Sequence, residues 1–272
     1  MQSLPYTNGV YRTAPSEVSW RARTFPAITF YSQFLANVTR SASEAKRGAY
    51  DGDAWCRSSV EVLRSLEFVG VQFEISGVDH LKQLTTPCLV IGNHMGMMET
   101  TVLPAILQPF RDVTFIVKPS LMEFPVFKHV MRSRDPIAVT TTNPRQDLKM
   151  VLEGGTERLK RGISVMAFPQ GKREVEFDPA KFNTLGIKLA KRAGVPIVPL
   201  ALKTDAWEIG SWIKDLGRID PSKKVRFAFG EPLSVEGRGA DEHQRIVRFI
   251  QEHLSSWREE DRALGRPLRG GI

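Results

Sequence analysis

The sequence predicts an α/β fold: a single domain with a largely parallel or mixed central sheet flanked by helices, preceded by an N-terminal helical block. Three observations carry this. From about Pro87, short apolar runs rich in β-branched and aromatic residues alternate with longer amphipathic stretches, the pattern of strands joined by crossover helices. Glycines stand where those helices should end, at Gly162 and Gly194. A chain of 272 residues is also long enough to bury one large core.

Taken in order, the chain opens with a segment expected to be helical, residues 1–66. Within it Phe25-Pro26-Ala27-Ile28-Thr29-Phe30-Tyr31-Ser32-Gln33-Phe34-Leu35 is aromatic-rich and flanked by Arg21, Arg23 and Arg40. It is too short to span a bilayer, and it suits either a helix packed on the core or a helix lying in a membrane interface up to Val38. Asp53–Leu66 predicts a second helix with Trp55, Val60, Leu63 and Leu66 on one side. The core, residues 67–235, should hold strands at Cys88–Ile91, Val113–Val117, Ile163–Phe168, Ile197–Leu202 and Val225–Phe229. Helices are expected at Thr100–Leu107, Met122–Met131, Gln146–Lys160 and Thr184–Ala193. Residues 236–272 complete the same domain as an amphipathic helix, Asp241–Trp257, with Ile246, Phe249, Ile250 and Leu254 facing the core, and a basic tail.

Composition sets limits on function. The chain is 42% hydrophobic and 25% charged, ordinary for a globular protein, and no apolar run approaches the roughly 20 residues of a membrane span. Met1–Thr13 lacks the basic and apolar regions of a secretory signal, and two cysteines, Cys56 and Cys88, supply neither a disulfide framework nor metal-ligand spacing. A cytoplasmic setting is expected, with peripheral contact at the cytoplasmic membrane face. The net charge of +8 points to an anionic partner (nucleic acid, a membrane surface or a phosphorylated molecule) or to a solvated basic surface with no partner, and charge alone does not choose. Nucleic acid fits poorly, because aromatic residues are not interleaved with the basic ones. The five histidines show no zinc-binding pattern.

Candidate chemistry gathers at the carboxyl ends of the predicted strands, where ligands of parallel sheets bind. The first candidate is His94 in Val90-Ile91-Gly92-Asn93-His94, with Glu99 five positions on. On one regular helix that offset turns the two side chains roughly 140° apart. They meet only if His94 lies in the turn leaving the strand and Glu99 in the first turn of the next helix. Glu99 would then hold one imidazole nitrogen and leave the other as a base. By itself the pair equally suits a structural histidine beside a surface glutamate. No Gly-x-Ser-x-Gly elbow accompanies it, so direct activation of a substrate hydroxyl is the chemistry it suits. The second is Phe168-Pro169-Gln170-Gly171-Lys172-Arg173, a turn followed by two cations, suited to a phosphate. It is not an NTPase loop, since Met166 and Arg173 stand where glycine and a hydroxyl residue would be needed. The third is Lys118 at a strand end, before a stretch that mixes apolar and basic residues. Met95, Met97 and Met98 suit either core packing or an acyl groove.

In this order the segments resemble the glycerolipid acyltransferase family, to which the 1-acylglycerol-3-phosphate and other lysophospholipid acyltransferases belong. Asn93-His94-x4-Glu99 is similar to the family's Asn-His-x4-Asp, with Glu for Asp (an HX4E form). Lys118, Leu121 and Pro125 resemble its second block, Phe168–Glu174 its Phe-Pro-Glu-Gly-Thr-Arg-Ser, and Val195-Pro196-Ile197-Val198-Pro199 its fourth. The likeness runs from about Phe68 to Pro232. It implies that His94, oriented by Glu99, deprotonates a hydroxyl that attacks the thioester of acyl-CoA or acyl carrier protein. Lys118, Gly171, Lys172 and Arg173 would bind the acceptor's phosphate, with no metal or resident cofactor. Gln170 and Lys172 depart from the family's Glu and Thr, and Arg145 is the nearest substitute for an arginine usual after the Ile137-Ala138-Val139 segment. The resemblance therefore implies an O-acyltransferase of phospholipid biosynthesis or remodelling acting on a lysophosphatidate-like lysophospholipid. Another lipid acceptor (a glycolipid or lipoamino acid) and a non-catalytic anionic-lipid-binding protein are the alternatives.

Overall fold

The computed structural model describes residues 3–123, 127–140 and 142–266. Within these, eight strands form one sheet: β1 (Tyr11–Arg12), β2 (Phe73–Ser76), β3 (Leu89–Gly92), β4 (Val113–Val117), β5 (Ile137–Ala138), β6 (Ser164–Ala167), β7 (Ile197–Lys203) and β8 (Val225–Phe229). Their spatial order is β1-β2-β8-β7-β3-β6-β4-β5. The run from β7 to β5 is parallel, whereas β8 lies antiparallel to β7 and β1 antiparallel to β2. The sheet is mixed and mostly parallel, as expected.

Every residue of β3, β6, β7 and β8 is buried, because helices cover both faces. The period-two alternation sends successive side chains to opposite layers. Along β3, Val90 joins the core beneath α2 (Pro26–Lys46), α3 (Gly52–Phe68) and α5 (Met98–Leu107), while Leu89 and Ile91 join the other core. That second layer is built by α7 (Pro144–Lys160), α8 (Leu185–Ala193) and α9 (Ala240–Ala263) through Val151, Leu159, Ile187, Leu189, Ile246, Ile250 and Leu254. Shorter helices α1 (Trp20–Thr24), α4 (Val78–Lys82) and α6 (Phe127–Ser133) complete the set.

Local chemistry explains the helix ends. Ser19, Asp51 and Asn143 cap α1, α3 and α7 by accepting from Ala22, Ala54 and Gln146 backbone N–H groups. Gly194, at φ +66°, closes α8 in the left-handed conformation that glycine adopts most readily.

Two expectations need correction. The helix expected over Met122–Met131 is instead a 3-10 turn at Pro119–Met122 followed, after Glu123, by α6. A single helix would carry Pro125 in its interior, without the N–H it needs there; Pro125 itself lies outside the described residues, as does Thr141. The N-terminal block is also more than helical: β1 is an edge strand of the sheet, and Tyr11 donates to Glu67 Oε1 of α3 at 2.6 Å. Trp55, Val60, Leu63 and Leu66 of α3 are buried in the core, the single face the spacing predicted; Phe30 and Phe34 of α2 are buried too, so that segment, left open between core and membrane interface, packs on the core through them. Ile28 and Leu35 face outward, 69% and 61% exposed.

Candidate active site

β3 is a central strand, and its carboxyl end delivers the turn Asn93–Met97. Asn93 anchors that turn by donating from Nδ2 to the Leu202 carbonyl and accepting from the Leu202 N–H, both at 2.9 Å. His94 then projects from the turn and Glu99 from the first turn of α5, the only arrangement in which their five-residue offset brings them together. His94 Nδ1 lies 2.8 Å from Glu99 Oε1. Gly96 is tightly placed here: a Cβ would approach the Trp207 carbonyl to 3.3 Å.

Glu99 is fully buried and acts as the hub of the turn. Its Oε1 also accepts the N–H groups of Met95 at 2.6 Å and Gly96 at 2.8 Å, and its Oε2 accepts the Thr204 hydroxyl at 2.7 Å. Burial pushes its pKa up, but the His94 hydrogen bond and charge, the Gly96 N–H and Thr204 outweigh that and hold it below the ordinary value. A buried carboxylate with four donors is a fixed anion. His94 keeps 18% of its side chain exposed, and its ring stacks on Phe168 at 4.3 Å between centroids. With Nδ1 engaged by Glu99, Nε2 is the nitrogen left for a substrate.

The Phe168–Arg173 loop follows β6, the neighbour of β3, and is strapped to the same turn. Gln170 Oε1 accepts the His94 N–H at 2.8 Å, and Glu174 N donates to the His94 carbonyl at 2.9 Å. Gly171 adopts φ +67°, so glycine suits the bend that presents Lys172 and Arg173. Gln170, a departure from the resembled family's Glu, thus supports the histidine backbone, while its buried Nε2 has no partner among the described residues.

These residues border one cavity of about 800 Å³. His94, Lys118, Gly171, Lys172 and Arg173 all line it, and Glu99 lies behind His94. One part is apolar, walled by Phe34, Val38, Trp55, Val62, Phe115 and Val130 from α2, α3, the sheet and α6. Another part is basic, with exposed Lys118, Arg145, Lys172 and Lys188. Arg173 pairs with Asp215, which also lines the cavity. Of the three methionines, only Met97 reaches this space; Met95 and Met98 are core, 3% and 0% exposed.

Thr204, Asp215 and Lys188 had no signal in the sequence, because each meets the site only through folding. The apolar wall was legible only as amphipathic helices. Among the described residues no group of three or more His, Cys, Asp or Glu side chains gathers as a metal site, and no helix is long and apolar enough to cross a membrane.

Residues 72–203 match the Acyltransferase family. The 1-acyl-sn-glycerol-3-phosphate acyltransferase of Pseudomonas aeruginosa is 27% identical over 216 residues, 79% of this chain and 77% of that protein. Human 1-acyl-sn-glycerol-3-phosphate acyltransferase beta is 26% identical over 211 residues, 72% of this chain and 70% of its own. With the chloroplastic BAT2 enzyme of Brassica napus, 28% identical over 129 residues, the match spans 47% of this chain and 36% of that protein. The crystal structure of the 1-acyl-sn-glycerophosphate (LPA) acyltransferase PlsC from Thermotoga maritima shares the fold, with a TM-score of 0.63 over 86% of this chain and 96% of that one at 15% identity. The matched span starts one residue before β2 and ends with the last residue of β7, enclosing the histidine turn, its glutamate and the Phe168–Arg173 loop, so the region that carries the site is the part that matches the acyltransferase family, and the enzyme is an acyltransferase.

Proposed function

We propose that this enzyme moves a fatty acyl group from an acyl-CoA or acyl carrier protein thioester to the hydroxyl of a lysophosphatidate-like lysophospholipid, at the cytoplasmic membrane face. The observation that carries the reading is the His94–Glu99 pair set in a cavity with an apolar part for an acyl chain and a basic part for an anionic head group. His94 Nε2 takes the acceptor's hydroxyl proton as its oxygen attacks the thioester carbonyl. The tetrahedral intermediate collapses with cleavage of the C–S bond, and the imidazolium returns the proton to the leaving thiolate. Glu99 holds the ring tautomer and stabilises the imidazolium, a role worth roughly 10²–10⁴-fold for the base it supports. Lys118, Lys172 and Arg173 gather the phosphate at the bend made by Gly171. The scheme calls for no metal or resident cofactor, the thioester being a co-substrate.

Asp215 favours a second reading of the acceptor alone. A carboxylate beside Arg173 suits a head group that carries a cation as well as an anion, as a lipoamino acid does, better than a bare phosphate dianion.

The test is thiol release from acyl-CoA and from acyl carrier protein thioester, with lysophosphatidate and a panel of other lyso-lipids. We expect acceptor-dependent turnover that His94→Ala removes. Turnover by His94→Ala equal to the wild type overturns the assignment, and the preferred acceptor separates the two readings.

A further inference from the structure

Thr204 stands one residue beyond β7, where the strand end clasps the histidine turn. Asn93 pairs with Leu202 through two hydrogen bonds at 2.9 Å, the Thr204 N–H donates to Met95 Sδ at 3.5 Å, and the Trp207 carbonyl faces Gly96. The Thr204 side chain is fully buried, and its hydroxyl donates to Glu99 Oε2 at 2.7 Å. Among the described residues this is the only hydrogen bond that Oε2 receives. The other three partners, His94 Nδ1 and the Met95 and Gly96 N–H groups, all meet Oε1. The terminal torsion of a glutamate has no sharp preference of its own, so contacts at one oxygen leave the carboxylate able to turn about that oxygen. A contact at the second oxygen fixes the plane, and with it the direction in which Oε1 holds the imidazole.

The alternation of β7 divides the work between neighbours. Leu200 and Leu202 enter the core on the α5 side and Ala201 the core on the α9 side. Thr204 continues the first set, and Lys203 and Asp205 continue the second. Lys203, 3% exposed, pairs there with Asp205 at 2.9 Å and with Asp261 of α9 at 3.1 Å, and Asp205 lies 3.9 Å from Lys223. Buried ions on both flanks of Thr204 thus tie the strand end to α9 and to the segment leading into β8, and separating such ions inside the protein is costly. The hydroxyl reaches Glu99 from a backbone held in place, as a preorganised site requires.

We infer that Thr204 is a positioning residue for the acyl transfer: through Oε2 it sets the plane of Glu99, and so the ring of His94, and it keys position 99 to glutamate. From the first turn of α5 a glutamate meets the histidine turn with one oxygen and the β7 end with the other. An aspartate, one methylene shorter, keeps one of these anchors and gives up the other. The glutamate that stands where the resembled family has aspartate therefore comes with a matching hydroxyl on the far strand. The catalytic consequence rests on His94 acting as the base proposed above; the positioning of the carboxylate does not.

The experiment compares the wild type with Thr204→Val, Thr204→Ser, Glu99→Asp and Glu99→Asp/Thr204→Val, each checked for fold by circular dichroism and urea unfolding. Thiol release gives kcat and the KM of each substrate, and the downfield proton resonance of His94 Nδ1–H reports the His94–Glu99 hydrogen bond without turnover. Thr204→Val should lower kcat about 10- to 100-fold, the scale of a slightly misplaced catalytic group, with either KM changed less than about threefold. It should also shift or broaden the His94 resonance. Thr204→Ser keeps the hydroxyl and should recover most of both. Glu99→Asp should itself be slowed about tenfold or more, and adding Thr204→Val to it should change kcat less than about threefold. A folded Thr204→Val protein with the wild-type kcat and resonance overturns the inference. So does an equal loss from Thr204→Val with and without Glu99→Asp, or a Glu99→Asp protein as active as the wild type. Should Thr204→Val fail to fold, Thr204→Ala repeats the comparison. A wild type that turns over no acceptor would fail the acyl-transfer reading, while the resonance would still decide whether Thr204 positions the pair.

Discussion

Replacing Glu99 by Gln isolates the carboxylate's charge, since the side chain keeps its length and shape. In the wild type Oε1 takes three donors and Oε2 one, all inside a fully buried pocket. With its oxygen in the Oε1 position, the Gln amide still meets the Met95 and Gly96 N–H groups, and its NH₂ faces the Thr204 hydroxyl, which can rotate to accept. Geometry is therefore preserved and charge assistance is lost. A hydrogen bond to a charged group is worth about 1.5–3 kcal/mol against about 0.5–1.5 for a neutral one, so four bonds lose roughly 4 kcal/mol in gross terms. The relief of not burying a charge offsets part of this. We expect a net loss of about 1–3 kcal/mol in urea unfolding at neutral pH. Loss of the imidazolium's partner should lower kcat by about 10²-fold or more, with KM for either substrate changed less than threefold. Thiol-release kinetics under saturating acceptor read this directly. A kcat within threefold of the wild type, in a protein shown to be folded, would refute the reasoning. The pH dependence has a definite sign. Glu99's pKa is held below its ordinary value of 4.5, so its contribution is fully present above that value and is lost as pH falls through the lowered folded one. The stability gap between wild type and Glu99→Gln should close in that acid window, and a gap constant down through it would contradict the assignment.

Four further predictions are narrower. Gln170→Leu leaves the His94 N–H without its acceptor and should cost about 1–3 kcal/mol in denaturant unfolding; an unchanged midpoint refutes the strap. Arg173→Ala should raise acceptor KM about tenfold or more, one charge-assisted contact, while thioester KM stays constant, and an unchanged acceptor KM removes Arg173 from the head-group site. Gly186→Val forces a Cβ to within 2.6 Å of Ile91 Cδ1, where α8 crosses β3, and should lower the unfolding free energy by about 1–3 kcal/mol or more; wild-type stability would show that the core yields there. Val62→Phe adds bulk to the cavity's apolar wall and should shorten the longest acyl chain turned over, read from a chain-length series; an unchanged series takes the chain elsewhere.

The sequence was most legible where a single segment carries its own physics. The β-branched runs became the buried strands because a sheet covered on both faces favours apolar side chains along them, the buried Lys203 and Arg226 at its β7–β8 side being paired with Asp261, and the caps at Asp51 and Gly194 work through neighbours in sequence. The His94–Glu99 pairing was readable because the five-residue offset leaves one geometry that works. Less legible was the Met122–Met131 stretch, where apolar spacing suggested a helix that Pro125 in its interior argues against. The methionines stayed open in the sequence: an apolar residue after a strand suits both core and groove, and only packing sends Met97 to the cavity and Met95 to the interior.

By itself, then, the sequence determined the α/β class, the strands and helices of the central core, and the pairing of a histidine with a carboxylate at a strand end. These depend on periodicity, capping and short-range geometry, which act within one or two turns of chain. Tertiary structure alone decided what surrounds the pair. Thr204 reaches Glu99 across 105 residues, Gln170 reaches the His94 N–H across 76, and Asp215 reaches Arg173 across 42. It also decided that α2 and α3, remote from the histidine in sequence, wall the cavity beside it. Such contacts are set by which strands lie adjacent and which faces helices bury, and no local spacing encodes either.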